Sequence, residues 1–580
     1  MAARLRPRHQ DGVEQGKRLV RLDSAKGASL AEWLSRRLAR IAWQTPLHRL
    51  RLRGRFPLKL LAVPPDPLTG EVSAGEALLA GEFLFCGEVA EAEGIDFAAL
   101  TGSPGLIDYL QSFAWLRDLD AAASRARAAP IAEYLARRWL AAHAEKIDDA
   151  GWRPDLWGRR MFHWAAHAPM LLASSDQVYR TSLLNTFARG ARHLQRSANR
   201  VSPGLPRIAA WSGVVTAGLL IPGSEGRTAR GEAALAHSLA QVVGEDGGIA
   251  SRSVAEQLAL VELLVQLRAV YEARRISPLP SLTDVLGRAV PALKGVLLGD
   301  GALSSWQGGA PLPAARVEQV INASAVRARA LRSAPDWGYQ RLVGGKTVVV
   351  VDAAPPPPAR LLNGGCASTL AFEMSDGPHR MVVNCGGDRG ASGKLPEGFA
   401  NALRASAAHS TLVLADSNST ATHPDGALGR GVAVVELVRR EEEGGSFLDA
   451  SHDGYARRFG FVHRRHLYVS ADGRELRGED VLDPVAAGRN RQADGPVDTA
   501  IRFHLAPAVE VSPGSDGKGA LLRLGGETIW QFHARGGDVA IEDSLWVDGD
   551  GNPRESYQLV IQTEALPGGA DIGWMFRRAN

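Results

Sequence analysis

Between about residues 105 and 330 the apolar positions recur at helical spacing. Val178, Leu183, Leu184, Phe187, Ala191 and Leu194 form one stripe. Ile208, Trp211, Val215 and Leu219 form a second, and Val254, Leu258, Val261 and Val265 a third. Residues three, four or seven apart share one helix face, so each stripe predicts a helix that buries one side. Successive helices parted by short Gly/Pro breaks predict paired helices curling into a toroid or solenoid, although no fixed-period repeat accompanies them. The pattern changes near Ser333. Thr347–Val351 follows Gly344 and Gly345 and reads as the second strand of a hairpin. Met381–Val383, Thr411–Leu414, His466–Val469, Ala500–His504 and Glu527–Phe532 are further short runs of β-formers between Gly and Asp turns. Many short strands with turn punctuation predict an antiparallel β-sandwich.

At 580 residues the chain exceeds what one hydrophobic core sustains. The pattern divides it into a basic, partly disordered arm with a helix around Leu30–Ala42 (residues 1–45), an α-helical toroid (46–332) and a β-sandwich (333–580), a multidomain α+β chain. Ten of the 13 tryptophans precede residue 340, which puts the large aromatic core in the helical part.

Charge sharpens this division. The net charge is only +4, yet residues 1–60 carry 15 Lys/Arg against 4 Asp/Glu. Such a leader can touch a nucleic acid, a membrane surface or an acidic polymer, and its plainer reading is a solvated, partly disordered arm. No apolar run reaches the length of a membrane span, and the first residues hold no secretory h-region. The three cysteines, Cys86, Cys366 and Cys385, are too few for a disulfide framework. The expected location is therefore cytoplasmic.

The most specific text lies in the β part. It reads Asn363-Gly364-Gly365-Cys366-Ala367-Ser368-Thr369-Leu370-Ala371-Phe372-Glu373, then Val383-Asn384-Cys385-Gly386, then Arg404-Ala405-Ser406-Ala407-Ala408-His409-Ser410-Thr411-Leu412-Val413-Leu414. In order and spacing these blocks resemble G-H-x-H-x-D-x-L-x-F-E, D-x-G and R-S-x-A-H-N-T-V-x-V-D of the heparinase II/III family of polysaccharide lyases. The resemblance implies a helical toroid followed by a β-sandwich, and β-elimination on an acidic, uronate-containing polysaccharide. By family habit it also implies a periplasmic or envelope location. It departs where the chemistry should be. Gly364 takes the place of a catalytic histidine. The family's metal-ligand-like positions hold Cys366, Asn384 and His409. In the toroid, Pro206 and Arg207 replace an Asn-His pair, and Glu256 stands where the family has a catalytic tyrosine.

Elimination needs a cation on the carboxylate, a base at C5 and an acid at the leaving oxygen. The candidates for catalysis are His409, Arg207 as a carboxylate clamp, Glu256 as a base, and Tyr455 ahead of the basic run Phe461–His466. Arg404, Arg252 and His463 are candidates for contact with an acidic sugar. Cys366, Cys385 and His409 offer two thiolates and an imidazole to a zinc ion, without CxxC spacing to support it. His163 and His167 stand four apart, a spacing that can chelate, but in an aromatic helix and without HExxH. His423 and Asp425 read as turn residues. Three functions follow: an acidic-polysaccharide lyase, a catalytically retired relative that binds glycan or envelope polymer, or a nucleic-acid- or membrane-associated scaffold using the basic arm. For that last function, nucleic acid is the less expected partner.

Overall fold

The structure is a computed structural model that describes residues 17–20, 43, 45–54, 59–358, 360–362, 364–387, 395–396, 398–485, 494–515 and 517–579. The helix expected around Leu30–Ala42 lies outside the described residues. Within the stretch read as a disordered arm, Lys17–Val20 is a strand. It pairs antiparallel with Val434–Leu437, and Lys17 reaches Asp336 at 2.8 Å.

Among the described residues, helices dominate up to Ser324. The central one is Leu205–Leu220, in which every residue except Pro206 and Arg207 is buried. The single apolar stripe expected there is thus too narrow, because other helices surround this one on all sides. It crosses the helix Pro154–Ala166 glycine to glycine. A Cβ on Gly158 would lie 1.9 Å from the Ala209 carbonyl oxygen, and one on Gly213 would lie 2.5 Å from the Gly158 Cα. Only hydrogen side chains permit that approach. The first stripe begins one position late: Val178 is 79% exposed, in the first turn of Gln177–Ser197, where the Asp176 side chain caps the helix. The aromatic core is built around Arg160, whose guanidinium lies over Trp139 and Trp157 and donates to the Gln111 and Gly151 carbonyls.

Two nine-stranded sheets follow. The first runs Lys17–Val20, Val434–Glu442, Gly445–His452, Phe461–Ser470, Glu475–Pro484, Ala570–Arg578, Thr528–Arg535, Gly519–Leu524 and Glu510–Pro513. The second contains Thr347–Asp352, Phe372–Asp376 and His379–Val383 near its middle. Thr347–Asp352 and Phe372–Asp376 are buried at every position, which explains their unbroken apolar character. Val349 and Val351 join the core between the sheets, while Val348 and Val350 join the helical core. The second sheet is therefore a shared wall between the helical and β halves. No described helix is long and apolar enough to cross a membrane.

Candidate functional site

The three sequence blocks meet at this shared wall. Arg252 precedes the helix Val254–Ala273 with its backbone in the left-handed region, φ +58°. Its guanidinium crosses to the β half. There it donates to Asp352 and to the carbonyls of Trp337, Ala354 and Pro355. Asp352 also accepts from Ser368 at 2.6 Å and from Gln307 at 3.2 Å. Gln307, itself at φ +51°, receives the Cys366 backbone N–H at 2.9 Å. Burial pulls the Arg252 guanidinium pKa down, but the Asp352 carboxylate outweighs it and the net shift is upward. This is a buried polar network that commits the Arg252 guanidinium to internal acceptors.

Arg404 is equally committed. It donates to the Gly365 carbonyl and to those of His423, Gly426 and Ala427, and so pins the turn that carries His423 and Asp425. Gly364 lies at φ +86° and donates to the Gly426 carbonyl. That conformation favours glycine over a histidine. Asn384 donates to Glu373 at 3.0 Å and accepts from the Ser410 N–H at 3.0 Å, tying two blocks together as an amide. Burial raises the Glu373 carboxyl above its usual range.

His409 is buried, its Nδ1 paired with the Ala405 carbonyl at 2.7 Å, and burial lowers its pKa. Cys385 lies against His504 at 3.5 Å, and burial pushes its thiol up to about 12. The zinc set expected from Cys366, Cys385 and His409 is not formed. The only described group of three or more His, Cys or acid side chains with ligand atoms within 4.8 Å is Asp66, His163 and His167. Asp66 already accepts two guanidinium bonds from Arg117 and the Leu68 N–H, so a cation is in place beside this group.

Tyr455 and His463 belong to the sandwich core rather than to a surface that meets sugar. The Tyr455 hydroxyl donates to the Leu412 carbonyl at 2.9 Å. His463 pairs with Asp480 at 2.7 Å, beside the Arg465–Asp480 ion pair. Burial alone would raise Asp480, yet Arg465 and His463 hold it far below the usual carboxylate range. Arg207 and Glu256 differ from the rest. Both are half-buried in the first turns of their helices, and Arg207 donates twice to the Val201 carbonyl.

Sequence reasoning missed Asp352, Gln307 and Asp480. Asp352 left one signal: a lone acid closing the all-apolar run Val348–Val351 must be buried and so needs a cation.

Three comparisons fit this geometry. The family described as heparinase II/III-like, C-terminal, matches residues 326–575. FtsZ-localized protein C of Caulobacter vibrioides is 32% identical over 550 residues, covering 92% of each chain. Among solved structures, heparinase III superposes with a TM-score of 0.67 at 13% identity, covering 97% of this chain and 93% of that one. The heparan sulfate lyase HepC from Pedobacter heparinus does so with a TM-score of 0.56 at 12% identity, covering 87% and 82%. Those likenesses show a shared fold.

Proposed function

The chain belongs to the heparinase II/III-like family, and from that premise we propose that it is a non-cleaving member that binds an acidic, uronate-containing glycan and works alongside FtsZ. One observation carries the loss of cleavage. The position of the family's catalytic histidine is held by Gly364, and two of its metal-ligand-like positions by Cys366 and Asn384, each fixed by internal hydrogen bonds. His409 survives but is buried, with its pKa lowered, so it is neutral near pH 7 and is no acid for a leaving group. The glycan half of the reading is supported by the shared fold. The FtsZ half is supported by the name of the 32% identical relative.

A second reading keeps the lyase. It is favoured by Arg207 and Glu256, half-buried where the family carries its toroid residues. Here Arg207 clamps the uronate carboxylate and Glu256 takes the C5 proton. Incubation of the full chain with uronate polymers separates the two. Elimination leaves an unsaturated uronate that absorbs in the ultraviolet. Binding with no rise in absorbance supports the first reading. A rise abolished by Glu256→Gln replaces it with the second.

A further inference from the structure

The outer face of the first sheet carries a groove of ≈ 540 Å³ on the side away from the sandwich core. Strand alternation builds it from two neighbouring rows of outward side chains. Register pairs place Arg440, Phe447, Tyr468, Arg477, Met575 and His533 in one row across six strands. The adjacent row reads Asp449, His466, Glu479, Gly573 and Arg535. Inward neighbours such as Leu448, Leu467 and Trp574 form the core, so the rows cannot rotate away without losing it.

The rows have distinct chemistry. Phe447 and Tyr468 are half-buried with ring centroids 4.6 Å apart, and so present an apolar floor. Arg440 flanks Phe447 at 5.6 Å and Arg477 flanks Tyr468 at 5.8 Å, one guanidinium at each end of the ring pair. Three strand spacings part the two arginines, roughly 14 Å. In the second row Gly573 contributes no side chain, which leaves a dent that Arg535 and Glu479 span at 3.7 Å. His466 faces Asp449 at 3.6 Å beside it.

We infer that this groove is a binding site for a short carboxylate-bearing oligosaccharide. The proposal rests on the glycan-binding reading above and moves the contact from the shared wall to the sheet face. Aromatic rings suit the C–H faces of sugars. Arginine forks suit their carboxylates. Asp449, His466 and Glu479 suit their hydroxyl groups, which donate as well as accept. The acids also select against other anions. A nucleic acid or an anionic lipid surface brings phosphates against Asp449 and Glu479, whereas a uronate sugar brings one carboxylate among many hydroxyls.

Calorimetric titration of the full chain with oligogalacturonate and hyaluronan tetrasaccharides, against neutral cellotetraose, tests this. Tyr468→Ala weakens acidic-glycan binding by roughly ten-fold or more, about 1.4 kcal/mol. Arg440→Gln with Arg477→Gln removes the preference for acidic over neutral sugar. Both variants keep the parent melting temperature. Unchanged binding in these variants, with binding lost in Arg207→Gln, overturns the sheet site while the glycan reading stands. Absence of any glycan binding by the parent chain overturns both. Polyglutamate binding that the face variants abolish, without glycan binding, makes the occupant an acidic peptide and overturns the sugar. Glycan cleavage together with binding lost in the face variants overturns the non-cleaving reading alone.

Discussion

Arg252 reaches Asp352 at 2.5 Å from one half of the molecule to the other, the guanidinium 7% exposed and the carboxylate fully buried. Removing one member of such a pair leaves the other charge without its counter-ion in a dry interior. Arg252→Met is expected to destabilise the fold by about 3–5 kcal/mol. Asp352 keeps Ser368 and Gln307 as donors, so the lower figure is the better guide. Scanning calorimetry checks it. Loosened contact between the halves appears as two separated transitions in place of one, and an unchanged single transition would falsify the structural role of the pair.

Asn384→Asp returns the family's residue type to its position without returning its chemistry. The new carboxylate would face Glu373 at the present 3.0 Å contact, and two buried acids there cannot both ionise. The expected cost is about 3 kcal/mol at pH 7. The pH dependence has a definite sign. A carboxyl whose folded pKa is raised stays protonated when folded and releases its proton on unfolding. The variant's deficit therefore grows as pH rises above the ordinary value of 4.5 and shrinks as pH falls towards it. Melting temperatures from pH 4 to 8 read this directly, and a deficit independent of pH contradicts it.

The amount legible in the sequence follows from the same physics. Thr347–Val351 was readable because a Gly344-Gly345 turn precedes a run of β-branched residues, which favours a hairpin strand. The block around Arg404–Leu414 was readable because its spacing is set by strands and turns that any member of the fold must keep. Arg252, Arg404 and His463 were readable as important, but the internal acceptors that hold them were not. An arginine that binds four carbonyls and one that binds a sugar carboxylate look identical in a sequence, since the difference lies in which backbone arrives opposite. Val178 failed because periodicity does not see the Asp176 cap that starts the helix before the apolar face turns inward. The two rows of the sheet groove were invisible for a related reason, as one is assembled from six strands and the other from five, and no local pattern specifies their register.

Buried histidines make the protein lose stability in acid. Burial lowers His48 to about 4, and His163, His193 and His504 to about 3. Each stays neutral when folded and takes up a proton on unfolding below its ordinary pKa of 6.5. Stability is thus full above that value and is lost as pH falls from 6.5 towards 3. At pH 5 the three lowest cost about 2 kcal/mol each. Substituting His504 by Gln should flatten the slope of melting temperature against pH between 6.5 and 4, at some cost to stability at neutral pH. An unaltered slope would show that this histidine does not titrate on unfolding.

The strand Lys17–Val20 is the outermost of the first sheet, held by its pairing to Val434–Leu437 and by the Lys17–Asp336 ion pair. Its partner strand also supplies Arg440 to the outer groove. This short strand therefore acts as a selvedge, a margin woven over the hydrogen-bonding edge of Val434–Leu437. Removal of residues 1–20 would bare the hydrogen-bonding edge of Val434–Leu437 and open it to pairing with a strand of another molecule.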